Sequence, residues 1–339
     1  MFHPLQRTGR VAVTHRITPR LIAGLAITCT IATTLVACGN SGSAPSTAFG
    51  TTAITVGTGP FLSNVDLYLS DRKGYFGEVG LKADIKVQTA GNLAVPQLLN
   101  NGLQFATVDM PTAIMAVGQN LPIEVVAPNT VGSSGRRGFA GVMVSPKSGI
   151  TSPAGLLGKT VAVNQINSVG MILIRATLAK AGLDWRQVKF TEVPPPQLLS
   201  TLAAGRADAA VLGEAEVTIA ESQKMTYLFS PHEATVPGMT TYVFVTSKAY
   251  ASKNPQVVKS FASAVLKGHV DANAHPDEVR AIAQSSTQLQ APLLAKVTLP
   301  TFGEKTVEPR EIDTWISLLE QYGGLDKSKA PSAAAVLGR

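Results

Sequence analysis

Two acidic residues each end an apolar run, where a carboxylate can bind a small polar molecule. Asp109 directly follows residues 105–108, and Glu214 closes a similar run over residues 207–212. Because a carboxylate at the end of a buried strand needs a hydrogen-bond partner, Glu214 is a candidate ligand contact. Asp109 could accept hydrogen bonds from a bound amine or amide, or could cap a helix beginning at Pro111. Two carboxylates in one cleft favour a neutral polar, zwitterionic or amine-bearing ligand over a bare anion such as nitrate.

Ligands of open α/β sheets bind beyond the carboxyl ends of the strands, where helix N-termini direct unpaired N–H groups outward. This rule selects five loops, and their convergence predicts a cleft. Ser168 precedes a long helix and could present its amides to an anion, or could simply cap that helix. Each glycine in these loops could equally form an ordinary turn. The predicted ligand-binding residues are Thr58, Gly59, Phe61, Gly91, Asn92, Asp109, Pro111, Asn164, Ser168, Val169, Gly170 and Glu214.

The remaining basic and histidine side chains carry weaker signals. Arg136 and Arg137 could bind an anion, although a solvated loop is the favoured interpretation. His232, His269 and His275 show neither metal-ligand spacing nor a neighbouring nucleophile, which favours structural roles. The sequence also lacks the Gly-x-Ser-x-Gly, His-Glu-x-x-His and P-loop motifs. We therefore expect no enzyme activity, no metal and no cofactor.

The N-terminal segment has the pattern of a bacterial lipoprotein signal. Residues 1–37 contain four arginines and no acidic residue, followed by an apolar stretch too short for a membrane span. Leu35-Val36-Ala37-Cys38 resembles the lipobox, in which Cys38 would carry acyl chains such as palmitate; a plain secretory signal or a free thiol is the alternative. Residues 38–52 then form a small, polar tether. These features predict a protein anchored at the outer face of the cytoplasmic membrane.

Composition excludes two further classes of protein. The net charge of +7 falls to 25 basic against 22 acidic residues once the four arginines of residues 1–37 are removed. No block of Lys and Arg with interleaved aromatic residues stands behind the remaining charge, so we expect no nucleic-acid partner. Cys29 and Cys38 are the two cysteines of the chain, so the mature protein cannot form an internal disulfide. We expect a monomer.

The elements that must position the candidate residues alternate between strand and helix. A β-α-β-α-β-α-β succession runs from residue 53 to 127, and a second series follows from residue 138 to 212. The fold class is therefore α/β, with two lobes that each contain a mainly parallel sheet flanked by helices. We assign residues 53–140 and 241–339 to a discontinuous first lobe and residues 141–240 to the second. Crossings near residues 138–146 and 236–246 would form a hinge.

Several motifs in this order resemble one family of proteins. They are Lys73-Gly74-Tyr75-Phe76, Gly158-Lys159-Thr160-Val161-Ala162-Val163, Ala181-Gly182-Leu183-Asp184 and Ala204-Gly205-Arg206-Ala207-Asp208-Ala209-Ala210. Together they look like the solute-binding proteins of ABC importers, within the nitrate, sulfonate and taurine group that also contains pyrimidine-binding members. The resemblance runs from about residue 53 to residue 247. It implies a type II periplasmic-binding fold, a small-molecule solute enclosed between lobes, and delivery to a membrane permease.

One stretch departs from the family pattern. Where the family commonly has Trp-Glu-Pro in the ligand wall, this chain has Gly213-Glu214-Ala215. The acid matches, but a glycine leaves a void where an indole could stack. Two alternatives to a transport receptor stay open: an enzyme on the same fold, or a sensory or scaffolding lipoprotein. The related pyrimidine synthases carry a cysteine-rich motif, and this chain has no cysteine after Cys38, which disfavours the enzyme.

Overall fold

The computed structural model describes residues 50–59, 61–88, 93–133, 135, 137–286 and 290–339. Cys38, Gly91, Asn92 and Arg136 lie outside the described residues, so their predicted roles stay predictions.

The first sheet has five strands: β1 (Thr52–Thr58), β2 (Leu81–Val87), β3 (Phe105–Asp109), β4 (Ile123–Pro128) and β11 (Tyr242–Ser247). Their order in the sheet is β2-β1-β3-β11-β4. Strand β1 is parallel to both β2 and β3, whereas β11 is antiparallel to β3 and β4. Every residue of β3 is buried, as expected for a central strand covered on both faces.

The second sheet also has five strands: β6 (Ala140–Val144), β7 (Thr160–Val163), β8 (Lys189–Glu192), β9 (Ala209–Gly213) and β10 (Thr226–Phe229). Their order in the sheet is β10-β6-β9-β7-β8. Strand β7 is parallel to β8 and β9, and β6 is antiparallel to β9 and β10. Each sheet thus has one reversed strand, and in both cases this is the strand that enters from the other lobe. The two mainly parallel sheets confirm the predicted fold class.

Helices cover the faces of both sheets. Gly74 takes a φ of 76°, a conformation that favours glycine, and separates α1 (Val65–Arg72) from α2 (Tyr75–Glu78). None of the helices in the described residues is long and apolar enough to cross a membrane. The helices are α1 (Val65–Arg72), α2 (Tyr75–Glu78), α3 (Ala94–Leu99), α4 (Met110–Gly118), α5 (Val169–Lys180), α6 (Pro195–Ala203), α7 (Glu216–Ser222), α8 (Pro231–Thr235), α9 (Lys248–Lys253), α10 (Pro255–Ala274), α11 (Pro276–Ser286), α12 (Ala291–Leu294), α13 (Pro309–Leu318) and α14 (Ala333–Val336).

The two connections between the sheets run side by side. The short strand β5 (Thr130–Val131) pairs with β12 (Thr301–Phe302), and the amide of Thr241 donates to the carbonyl of Thr130 at 2.9 Å. The first crossing lies between the end of β4 at Pro128 and the start of β6 at Ala140, earlier than predicted. Ala140, which the prediction assigns to the first lobe, is the first residue of β6 in the second sheet.

A shared apolar cluster joins the two lobes. Ile172 and Leu173 of α5 pack in one buried cluster with Ile114 of α4 and Trp315 of α13. The Trp315 indole N–H also donates to the carbonyl of Thr240 at 2.8 Å, so its one polar group is satisfied. This packing brings the N-terminus of α5 close to the carboxyl ends of the first sheet.

Candidate functional site

The carboxyl ends of the two sheets face each other across two adjoining cavities. The first cavity measures about 30 Å³ and is lined by Gly59, Phe61, Asn64, Gln88, Thr107, Val108, Asp109, Thr112, Asn164, Gln165 and Tyr242. The second measures about 40 Å³ and is lined by Phe61, Ser63, Phe139, Ala140, Asn164, Val169, Gly170, Leu198, Val211, Gly213, Glu214, His232 and Tyr242. Phe61, Asn164 and Tyr242 belong to both cavities, which together we call the cleft. Residues from both lobes therefore enclose one small space.

The structure brings most of the predicted site residues together in this cleft. Those that line it are Gly59, Phe61, Asp109, Asn164, Val169, Gly170 and Glu214. Thr58, Pro111 and Ser168 are buried next to lining residues without lining the cleft themselves. Their roles toward a solute stay predictions, as do those of all these residues.

Asp109 connects the two lobes. One carboxylate oxygen accepts a hydrogen bond from the Thr112 amide at 2.8 Å and so caps α4, which was one of the two predicted alternatives. The other oxygen accepts from the Val169 amide of α5 at 3.1 Å. The helix end that the sequence offers to an anion is therefore occupied by a carboxylate of the protein itself. Burial raises the pKa of the Asp109 carboxyl, and these hydrogen bonds oppose that rise.

Ser168 does not cap α5 with its side chain. The residue stands at the N-cap position, but its hydroxyl is fully buried and makes no hydrogen bond. The first amide of α5 already donates to Asp109, which removes one of the partners a capping hydroxyl could use. The alternative that Ser168 only caps its helix is thus wrong. Asn64 also has a buried polar atom without a partner. Its side-chain nitrogen donates to the Gly59 carbonyl, but its side-chain oxygen makes no hydrogen bond.

Glu214 fastens the end of β9 to the C-terminal part of the chain. One carboxylate oxygen accepts from the amide and the hydroxyl of Thr218, at 3.1 and 2.7 Å, and the other accepts from the Thr298 amide at 3.1 Å. Arg137 lies 3.7 Å away. Burial raises the pKa of Glu214, while these donors and the Arg137 charge lower it. The protein satisfies this carboxylate, and a contact with solute stays a prediction.

Arg137 has a partly exposed side chain and does not line the cleft. Its guanidinium makes two hydrogen bonds of 2.8 Å to Glu221, and its Nε donates to the Thr298 hydroxyl at 3.1 Å. The group also stacks over the Tyr227 ring, 4.5 Å from its centre. Arg137 therefore lies at the protein surface beside Glu214, held by Glu221, Thr298 and Tyr227, and its role toward an anion stays a prediction.

Two residues that begin the reversed strands also reach the cleft and were not predicted as site residues. Tyr242 is the first residue of β11 and lies opposite Asp109, and Ala140 is the first residue of β6 and lies opposite Gly213. An antiparallel strand starts where its parallel neighbours end, so its first residues also reach the cleft. Burial and the Asp109 charge raise the pKa of Tyr242, which keeps its hydroxyl protonated. The crossing strands, already predicted from the sequence, were the signal that could have found these residues.

Gly213 leaves open space beside the cleft. A Cβ atom built at this position would meet no heavy atom within 4 Å. The void expected from the Gly213-Glu214-Ala215 stretch is thus present at Gly213. The described residues contain no group of three or more His, Cys, Asp or Glu side chains that could hold a metal ion.

The raised pKa of Asp109 predicts a pH dependence of stability. The folded state binds a proton at Asp109 more tightly than the unfolded chain does, so protonation of this carboxyl stabilises the fold. This stabilisation is fully present below about pH 4 and is lost as pH rises through the pKa of the folded state. Asp109→Asn has no carboxyl at this position, so its stability lacks this dependence on pH. We therefore expect the free energy of unfolding of Asp109→Asn, relative to wild type, to rise between pH 4 and pH 7. Urea titrations across this range measure it. Asp313→Asn, at an exposed position of α13, is the control; parallel curves for both variants would contradict the prediction.

Known solute-binding proteins are similar to this chain in sequence. The formylaminopyrimidine-binding protein of Halalkalibacterium halodurans is 28% identical over 279 residues, covering 77% of this chain and 82% of that protein. The taurine-binding periplasmic protein of Escherichia coli K12 is 26% identical over 200 residues, covering 59% of this chain and 60% of that protein.

Solved structures show the same fold at low sequence identity. The periplasmic aliphatic sulphonate binding protein of Escherichia coli has a TM-score of 0.68 at 16% identity, covering 85% of this chain and 97% of that one. The periplasmic nitrate-binding protein of Synechocystis PCC 6803 has a TM-score of 0.67 at 14% identity, covering 84% and 85%. The NMT1/THI5-like family model matches residues 63–279. The chain belongs to the NMT1/THI5-like family.

Proposed function

We propose that this protein is an extracytoplasmic solute-binding protein that captures a small polar solute between its lobes and delivers it to an ABC importer. Relatives named for binding formylaminopyrimidine and taurine support this role. The observation that carries it is a cleft enclosed by the carboxyl ends of two sheets. A solute that contacts both lobes stabilises the closed state, which is the form that a permease can recognise.

The polar atoms of the cleft that lack a partner indicate which hydrogen-bonding groups the solute carries. The buried oxygen of Asn64 accepts hydrogen bonds, so it needs a donor from the solute. The Asp109 carboxylate already occupies the N-terminus of α5 and would repel an anion there. The solute is therefore neutral, zwitterionic or amine-bearing, and a pyrimidine-like compound fits better than nitrate or a simple sulfonate.

The N-terminal segment supports a location for this receptor. We infer that Cys38 is acylated and that residues 38–52 tether the domain, as a monomer, to the outer face of the cytoplasmic membrane. The tether raises the local concentration of the receptor near a permease in the same membrane.

A thermal-shift screen tests the proposed function. A solute that binds the folded state alone raises the melting temperature with its concentration, by a free energy of about 2.7 kcal/mol at 100 times Kd. We expect formylaminopyrimidine and other aminopyrimidines to raise it, and nitrate and alkanesulfonates to leave it unchanged. Calorimetry on the compounds that shift it then gives affinities. Tight binding of nitrate or a simple alkanesulfonate would contradict the proposed solute class.

A further inference from the structure

Two buried histidines of this protein differ in their hydrogen bonding. His269 is fully buried, and its ring nitrogens lie 2.7 Å from the Gly303 carbonyl oxygen and 2.9 Å from Asp66 Oδ2. His232 is 2% exposed, and neither of its ring nitrogens has a partner. A buried polar group without a hydrogen-bond partner lowers the stability of the folded state, and no residue of the fold offsets this loss at His232.

His232 lies in the wall of the second cavity. It belongs to α8, and its ring packs against Phe139 with the ring centres 5.6 Å apart. Phe61, Tyr242 and Glu214 line the same cavity. A residue with an unpartnered imidazole therefore lines a space that a solute could enter.

The acidic neighbours of His232 are already engaged. Glu233, the next residue of α8, accepts hydrogen bonds from the Ser133 amide at 2.9 Å and the Ser133 hydroxyl at 3.0 Å, and also bonds Ser230. Glu214 is bonded by Thr218 and Thr298. Burial lowers the pKa of His232, although the Glu233 charge opposes this, so the ring is neutral at neutral pH. A neutral imidazole has one donor and one acceptor nitrogen to offer.

We propose that His232 is a specificity-determining residue of the cleft, whose neutral imidazole hydrogen-bonds the polar edge of a planar solute held among Phe61, Phe139 and Tyr242. The inference rests on the proposed function and adds the group that recognises the solute edge. A flat ring suits the site because aromatic rings line the cavity, and such rings pack favourably edge to face or offset. An edge that carries both a donor and an acceptor matches either imidazole tautomer.

Comparison of variants at the two histidines tests this role. Without solute, we expect His232→Leu to melt at or above the wild-type temperature, since it removes an unpartnered polar group. His269→Leu, which breaks two hydrogen bonds, should melt well below it. A drop in His232→Leu similar to that in His269→Leu would assign His232 a structural role and overturn the inference.

Titration with formylaminopyrimidine and cytosine supplies the second readout. We expect His232→Leu to bind the tighter probe at least 10-fold more weakly than wild type. His232→Gln, which keeps a donor and an acceptor, should recover most of the affinity. Equal binding by wild type and His232→Leu would overturn the role of His232 and leave the receptor function standing. A wild type that binds neither probe would overturn the planar-solute inference, and one that binds no screened solute at all would also overturn the proposed function.

Discussion

We expect His269→Ala to lower the free energy of unfolding by about 2–6 kcal/mol, because it removes two buried hydrogen bonds and each buried group left without its partner costs about 1–3 kcal/mol. The two ring nitrogens of His269 lie within hydrogen-bond distance of the Gly303 carbonyl oxygen and of Asp66 Oδ2. The side chain of Asp66 is 1% exposed, so water cannot readily replace the lost imidazole.

The same contacts tie α1 and α10 to the first crossing between the lobes. Asp66 Oδ2 also accepts a hydrogen bond from the Asn129 side chain at 3.2 Å, and the Asn129 carbonyl accepts one from the Gly303 amide at 2.8 Å. Asn129 directly precedes β5, and Gly303 directly follows β12, which pairs with β5. Loss of the His269 ring thus also removes a support of β5, the strand that lies in the first crossing.

Urea denaturation measures this effect against an exposed histidine. His275 pairs with Asp271 at 2.8 Å, but its side chain is 54% exposed. We expect His275→Ala to change the free energy of unfolding by less than about 1 kcal/mol, as is typical of exposed ion pairs. Equal losses in His269→Ala and His275→Ala would show that the buried pair has no special weight.

The sequence predicts the repeated strand and helix units because their signals are local. Gly102 and Gly205 follow helices and precede strands at equivalent points of the two lobes, and the apolar runs after them form β3 and β9. Strands β5 and β12 could not be predicted in this way. Each has two residues, and their partners lie far apart in the chain, so no local periodicity marks them.

The same distinction separates the site residues that were found from those that were missed. Asp109 and Glu214 end parallel strands, and the rule about carboxyl ends selects them from sequence alone. Tyr242 reaches the cleft only because β11 is inserted antiparallel between β3 and β4. His232 could not be told from a structural histidine, because the absence of partners for its ring depends on residues distant in the chain.

A large side chain at Gly213 should block binding of the solute. The position lines the second cavity, which has a volume of about 40 Å³. In Gly213→Trp the first atom of the new side chain meets open space, so we expect the variant to fold. Its indole is far larger than the cavity, however, and would compete with the solute and hold the lobes apart.

We therefore expect Gly213→Trp to weaken binding of the best aminopyrimidine from the thermal-shift screen at least 100-fold, or about 2.7 kcal/mol. Gly213→Ala, which adds one methyl group in open space, should bind within about threefold of wild type; 1.4 kcal/mol would be needed for a tenfold change. Isothermal titration calorimetry on the three proteins gives the comparison, and unfolding curves check that each is folded. Tighter binding by Gly213→Trp would contradict the prediction. Tighter binding would mean that an indole at this position stacks on the solute. Gly213 would then mark a contact that this chain lacks, and would not be an adaptation of the cleft to a different solute.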